Sequence, residues 1–291
     1  MIEHLIASGM AYAIGAMICF GLSDLVYKRA AGAGVPAHQL LCVQSWQFGP
    51  LVLAYGLVTH SLNFNLASIW GAVAGVFAYF AFYFFAMSLK SGSVSINAPI
   101  FRLSFTLTAA LAVLLLNEPL GTLKLAGLAC ALLAVWLLLG GKAKVPGAGG
   151  GAGMRKSLIQ VGVATVTIGI ANLIYKIGLI AGATPATLLV TQACVVMSFS
   201  TVNSLRIEGH LRASRNTWNH ATVTAVLLTA AFTFLFQGLA RGEASRLVPV
   251  AQMGFVVTAA IGFFFLREPF STRKGAGLVF ALSALACLAK S

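Results

Sequence analysis

Acidic residues are scarce in this chain: six Asp and Glu stand against 19 Lys and Arg, and only 9% of the 291 residues are charged. A soluble domain carries about 25% charged residues. This chain cannot cover a water-facing surface. With 59% hydrophobic residues and a mean hydropathy of +0.93, it reads as an integral membrane protein. Cysteine is equally uninformative as chemistry. Cys19, Cys42, Cys130, Cys194 and Cys287 are scattered through apolar runs, without a C-x-x-C or a His at ligand spacing. That excludes a disulfide framework and a metal site. There is no H-E-x-x-H, no G-x-S-x-G, no paired aspartates and no cofactor fingerprint, so neither an enzyme nor a cofactor is expected. The net charge of +13 does not imply nucleic acid. The cations sit in short gaps between apolar runs, where they report membrane orientation.

What is present is a succession of apolar runs. A membrane helix needs about 20 apolar residues. On that measure spans fall at 5–28, 39–59, 66–89, 93–116, 121–140, 156–179, 186–205, 217–240, 244–266 and 272–289. The predicted fold class is therefore all-α integral membrane, with ten transmembrane helices. Glu3 and His4 precede the first run, where a signal peptide would carry Lys or Arg, and the run continues to Val26. It reads as a retained span. The stretch Gly141–Gly153 is Gly/Ala-rich and lacks the G-K-[ST] ending of a phosphate loop. It is a flexible connector between residues 1–140 and 155–291.

Those two segments repeat each other. Residues from Gly21, GLSDLVYKRAAGAGVPAHQLLCVQS, match GIANLIYKIGLIAGATPATLLVTQA from Gly169 at an offset of 148. Tyr27-Lys28 falls on Tyr175-Lys176, Gln44 on Gln192 and Asp24 on Asn172. Pro99–Pro119 and Pro249–Pro269 match at an offset of 150, with Thr108-Ala109-Ala110 on Thr258-Ala259-Ala260 and Glu118-Pro119 on Glu268-Pro269. Five spans is an odd number, so the second copy enters the bilayer from the opposite face. Two inverted five-helix repeats is the plan of many secondary transporters, with the substrate near the midplane between copies. Of the 19 cations, Arg102 is internal, Lys124, Lys176, Arg241, Arg246 and Lys290 fall on the face where the first span begins (face A), and the other thirteen on face B. The positive-inside rule then puts face B in the cytoplasm and both termini outside.

Ten spans in a five-span repeat, with L-N-E-P-L at Leu116–Leu120 and L-R-E-P-F at Leu266–Phe270, resemble the drug/metabolite transporter superfamily in its ten-span EamA-like branch. The resemblance covers essentially the whole chain. It implies a secondary carrier, frequently an exporter of amino acids, other metabolites or drugs, in an inner (plasma) membrane. It also implies cytoplasmic termini, against the charge count, which is followed here.

The Glu-Pro pairs have a structural reading: proline suits a first helical turn and a glutamate favours the positive end of a helix dipole. Asp24 is different, because it alone among the carboxylates lies a turn inside a span. Burial favours the protonated carboxyl, which suits a coupling-proton carrier; pairing with Lys28, four residues on, is the alternative. Arg102 lies about nine residues into its span, roughly 13 Å deep. Its guanidinium suits a substrate carboxylate or phosphate, or a fixed pair with Asp24. Its repeat partner is Gln252. Tyr27, Gln44, Asn172, Tyr175, Lys176 and Gln192 complete a candidate cavity ring, with Lys176 alternatively snorkelling to the interface. The aromatic run Tyr79–Phe85 and its echo Phe232, Phe234 and Phe236 read as lipid-facing packing, or as a pathway lining. Gly71 and Gly75 read as close helix packing. The expected function is alternating-access transport of a small-molecule substrate by a monomer or homodimer in the lipid bilayer, without nucleic acid. Flipping of a lipid-linked substrate, or multidrug efflux, is the alternative.

Overall fold

In a computed structural model the described residues are 9–91, 97, 100–139, 152–257, 261 and 272–291. Most of the Gly/Ala-rich connector, Thr258-Ala259-Ala260 and Glu268-Pro269 lie outside them. The described residues form helices and connecting turns, without a β-strand. The helices are α1 (Met10–Gly32), α2 (Ala37–Val58), α3 (Ile69–Ser91), α4 (Ser104–Leu116), α5 (Thr122–Leu139), α6 (Ala152–Ile180), α7 (Pro185–Glu208), α8 (Arg215–Leu239), α9 (Ala244–Gln252) and α10 (Thr272–Lys290). Among the described residues, six helices are long and apolar enough to cross a membrane; Ile100–Leu116, Thr122–Leu137, Ala244–Val257 and Gly275–Lys290 are shorter apolar helices. The starts follow from local chemistry. Pro185 opens α7 behind Thr184, whose hydroxyl accepts from the Thr187 N–H, and Ser214 caps α8 in the same way through Thr217. Gly209 ends α7 in the left-handed region at φ 72°.

The packing has a two-fold pattern. Exchange of α1 to α5 with α6 to α10 maps α1–α8 onto α3–α6, α2–α8 onto α3–α7, and α1–α9 onto α4–α6; all six contacts are present. The pairs α2–α7, α4–α9 and α5–α10 map onto themselves and also pack. Contacts along each pair fix the directions. Gly71 faces Leu188, Gly75 faces Gln192 and Tyr79 meets Phe199, so α3 and α7 are parallel. His38 meets Glu208 and Ser45 meets Ser200, so α2 and α7 are antiparallel. Gln39 meets Thr217 and Tyr55 meets Gln237, so α2 and α8 are parallel. Tyr12 with Phe234 and Phe20 with Phe232 make α1 and α8 antiparallel; Gly178 beside Trp70 and Ser157 beside Ser88 do the same for α3 and α6. It follows that α1 and its counterpart α6 run in opposite directions.

Two departures from the sequence expectation concern the centre. The fourth and ninth apolar segments are not continuous helices: each is interrupted, at Leu103 and Met253. Leu103 N–H donates to Ile100 and Thr106 N–H to Leu103; 150 residues later Met253 donates to Val250 and Val256 to Met253. These tight i to i−3 turns sit directly after Arg102 and Gln252. Short 3₁₀ steps inside a helix mark strain or function. The second departure is a backbone crossing. A Cβ on Gly21 would lie 2.5 Å from the Gly254 carbonyl oxygen, and one on Gly254 2.8 Å from the Gly21 nitrogen.

Helix propensity alone favours alanine over glycine by about 1 kcal/mol, whereas a forced backbone displacement costs about 1–3 kcal/mol. Gly21→Ala and Gly254→Ala should therefore lower the thermal unfolding temperature of the purified protein. Gly162→Ala, whose Cβ would meet nothing within 4 Å, should leave it unchanged or raise it. Equal behaviour of all three would show that the α1–α9 crossing is looser than described.

Candidate functional site

Near the centre, α1, the turn at Leu103 and α9 converge on one charged cluster. The Arg102 guanidinium donates from Nη2 to both Asp24 oxygens (2.5 and 2.6 Å) and from Nε to Oδ2 (3.2 Å). Its Nη1 donates to Gln252 Oε1 at 2.6 Å, across the two-fold. Phe20 and Phe101 rings lie 5.5 and 5.8 Å from the guanidinium carbon, in cation–π range. Arg102 is buried. The fork geometry of arginine explains the pairing: one planar group satisfies a carboxylate and still reaches a third acceptor.

Around this cluster is a cavity of about 20 Å³, enclosed by Phe82, Phe85, Phe101, Ile168, Leu228 and Phe232 together with polar Ser23, Asp24, Tyr27, Arg102, Asn172 and Gln252. That volume holds about one water molecule. Phe85 and Phe101 are stacked at 4.5 Å, and Phe232 meets Phe20, Phe48, Phe82, Tyr175 and Phe236 at 5.4–6.5 Å. Ser23 Oγ and both amide atoms of Asn172 are buried without a hydrogen-bond partner among the described residues. Such groups are costly in an apolar interior, and they leave donors and acceptors beside the ion pair for another molecule.

Of the ten residues proposed for the cavity, Asp24, Tyr27, Arg102, Asn172 and Gln252 line it. Gln44 accepts the Tyr27 hydroxyl at 2.6 Å. Tyr175 packs on Phe236, and neither its hydroxyl nor Gln192 Oε1 has a partner among the described residues. Two residues lie elsewhere. Lys28 is exposed, and Asp24 is held by Arg102 rather than by Lys28. Lys176 Nζ donates to the Leu239 and Gly242 carbonyls, holding the end of α8 instead of lining the cavity.

The aromatic reading also changes. Phe82 and Phe85 face the cavity, Phe232 and Phe236 are buried, and Phe80 and Phe234 are exposed. Ser23 and the Gly21–Gly254 crossing were not foreseen; small residues within three positions of Asp24 and Gln252 are their only sequence signal.

Two polar clusters close the ends of the bundle. On face A, Glu118 accepts from the Ala244 and Ser245 N–H groups at 2.8 Å each, so it caps α9 of the other half rather than the adjoining α5. Lys124 pairs with Glu243 at 2.5 Å and donates to Ser245 and the Pro119 carbonyl. On face B, Glu208 accepts from Gln39 at 2.8 Å and meets His38 Nε2 at 2.6 Å. The described cysteines are all free, and no group of three His, Cys, Asp or Glu among the described residues could hold a metal.

An all-helical polytopic membrane protein, built in two matched halves around a buried ion pair, is thus the class that fold and site define. The chain belongs to the EamA-like transporter family, whose pattern matches residues 7–140 and again 155–289. It is therefore a membrane transporter of small molecules. No curated protein matches it in sequence. A solved structure titled "Crystal structure of protein" is similar in fold, with a TM-score of 0.79 over 96% of each chain at 16% identity.

Leaving one member of a buried ion pair uncompensated costs about 3–5 kcal/mol. Asp24→Asn and Arg102→Gln should each lower the unfolding temperature, and the double variant should lose less than the sum of the two. Strict additivity would mean that the pair contributes no coupling energy.

Proposed function

We propose that this protein is a secondary transporter of small zwitterionic metabolites, amino acids or related compounds, working by alternating access of the Asp24–Arg102 site to the two faces of the bilayer. All ten helices cross the membrane in this reading, as two inverted five-helix repeats of residues 1–140 and 155–291 joined by residues 141–154. The opposed directions of α1 and α6 support it. The substrate class follows from charge: a guanidinium and a carboxylate side by side offer complementary partners to a carboxylate and an ammonium on one small molecule. Phenylalanine rings on several sides favour an apolar remainder.

The observation that carries alternating access is a difference between equivalent positions. In the first half Tyr27 donates to Gln44; in the second, Tyr175 Oη and Gln192 Oε1 are buried without partners among the described residues. Inverted repeats held in different conformations are what a carrier closed on one side requires, since exchanging the two conformations opens the other side. The one-water cavity corresponds to a contracted site, which widens before a metabolite enters. Arg102 then turns from Asp24 to the substrate carboxylate. Asp24, released, is free to take the ammonium or a coupling proton. Face B is cytoplasmic by its excess of cations, and export is the direction that the family resemblance favours.

Reconstituted into liposomes, the protein should exchange labelled neutral amino acids, and Arg102→Gln should lose acidic and zwitterionic substrates by roughly 10–100-fold, the worth of a hydrogen bond to a charged group. A uniform loss across all solutes, with lowered stability, would make Arg102 structural. Asp24→Asn should abolish the response to an imposed pH gradient; an unchanged gradient-driven flux would remove the proton from the scheme.

A further inference from the structure

Away from the central cavity, α3 and α7 enclose a lateral groove of about 470 Å³. Its wall is aromatic: Tyr79, Phe80, Tyr83 and Phe84 from α3, and Phe199 from α7. Tyr79 stacks on Tyr83 at 5.9 Å and meets Phe199 at 5.4 Å. Along α7, Phe199, Val202, Asn203 and Arg206 form one stripe at i, i+3, i+4 and i+7, the spacing of a single helix face. Because α3 and α7 are parallel and in register at Tyr79 and Phe199, Tyr83 is level with Asn203, and Arg206 lies a turn further toward face B. The groove thus grades from apolar to cationic over roughly 10 Å of helix.

Ser198, also in the lining, donates to the Cys194 carbonyl of its own helix, but the other polar groups of the groove lack partners among the described residues. The Tyr79 and Tyr83 hydroxyls, the Asn203 amide and the Arg206 guanidinium make no hydrogen bond or ion pair with any described residue. Arg206 is exposed, whereas the face A cations Lys124, Lys176 and Arg246 are all engaged by carboxylate or carbonyl groups. Tyr79 stands twelve residues before the end of α3, roughly 18 Å along the helix. That is too deep for the aromatic belt at the headgroups. Tyr79 is itself buried, whereas Tyr83 and Asn203 are half-buried along the groove, where a polar group facing hydrocarbon without an acceptor is expensive.

We infer that this groove is a binding site for one anionic phospholipid of the leaflet on the Arg206 side. Its phosphate rests on Arg206, its ester carbonyls accept from Asn203 and Tyr83, and an acyl chain lies along Phe80, Phe84 and Phe199. Both halves of that occupant are matched: the wall is apolar where the chain lies, and the cation stands where the phosphate lies. The site is separate from the substrate pathway, since α3 turns Phe82 and Phe85 to the central cavity and Tyr79, Phe80, Tyr83 and Phe84 to the groove.

Native mass spectrometry of the full-length protein, exchanged with dioleoyl phosphatidylglycerol or dioleoyl phosphatidylcholine, tests it. The wild type should retain one phosphatidylglycerol with about fivefold preference, the worth of one cation near an anionic headgroup. Arg206→Gln should abolish the preference, Arg206→Lys should keep most of it, and Tyr83→Phe should weaken retention of both lipids. Arg212→Gln, on the same face outside the groove, should change nothing. Equal losses from Arg206→Gln and Arg212→Gln would assign the preference to a diffuse basic face and overturn the site. A lipid-free dimer, or a preference untouched by Arg206→Gln, would overturn it as well.

Discussion

The bidentate bond between Arg102 and Asp24 is the interaction on which the centre of this bundle depends. An arginine at the middle of a membrane costs at least about 2.5–3.5 kcal/mol even on insertion scales, so every element near it is arranged to satisfy or shield it. Asp24 takes two nitrogens, Gln252 a third, and Phe20 and Phe101 cover the guanidinium. Just past α9, the chain crosses α1 backbone to backbone at Gly21 and Gly254, where a Cβ on either residue would clash, and this brings Gln252 beside Arg102. The tight turns at Leu103 and Met253 fall one residue past the two polar side chains. Glycine, turn and ion pair form a single constraint.

Around that constraint the two halves are alike in packing and unlike in detail. The main helix contacts exchange under the two-fold, yet the charge lies in one half: Asp24 and Arg102 correspond to neutral Asn172 and Gln252. The tyrosine–glutamine bond is likewise made in one half and absent in the other. The ends differ too. Face A is fastened by Glu118 on the start of α9 and by the Lys124–Glu243 pair, whereas on face B Glu208 joins α2 to α7, Ser157 joins α6 to the Ser88 carbonyl of α3, and Arg273 joins α10 to carbonyls of α5. A symmetric scaffold with asymmetric fastenings is what the proposed alternation between two states requires.

Much of this was legible in the sequence, for a definite reason. Apolar run length marks the helices, six of which among the described residues are long enough to cross a membrane, and polar residues repeating at offsets of 148 and 150 mark the internal two-fold; neither needs tertiary information. Arg102 and Asp24 stood out because charge inside an apolar run is expensive wherever it lies. Lys28 and Lys176 lie away from the cavity because long cationic side chains can reach from their own helix face, to solvent in one case and to carbonyls at the end of α8 in the other. The breaks at Leu103 and Met253 carry no composition signal, since a 3₁₀ step uses the same apolar residues as an α-turn. Glu118 was legible as a residue for a helix N-terminus, but not as a cap on α9, because that pairing is made only by the folding of the two halves together. The groove polarity was invisible for the same reason: Tyr79 and Arg206 become neighbours of one trough only when α3 and α7 lie parallel.

Ligand-induced stabilisation measures the central claim most directly, on wild type and on the neutral double variant Asp24→Asn/Arg102→Gln, whose own unfolding transition reports that it is folded. A ligand at 100 times its dissociation constant adds about 2.7 kcal/mol to the state that binds it. A site formed by the ion pair predicts that zwitterionic amino acids raise the unfolding temperature of the wild type and leave that of the double variant unmoved. Equal stabilisation of both proteins would place the substrate elsewhere and leave the Arg102–Asp24 pair as a purely structural tie.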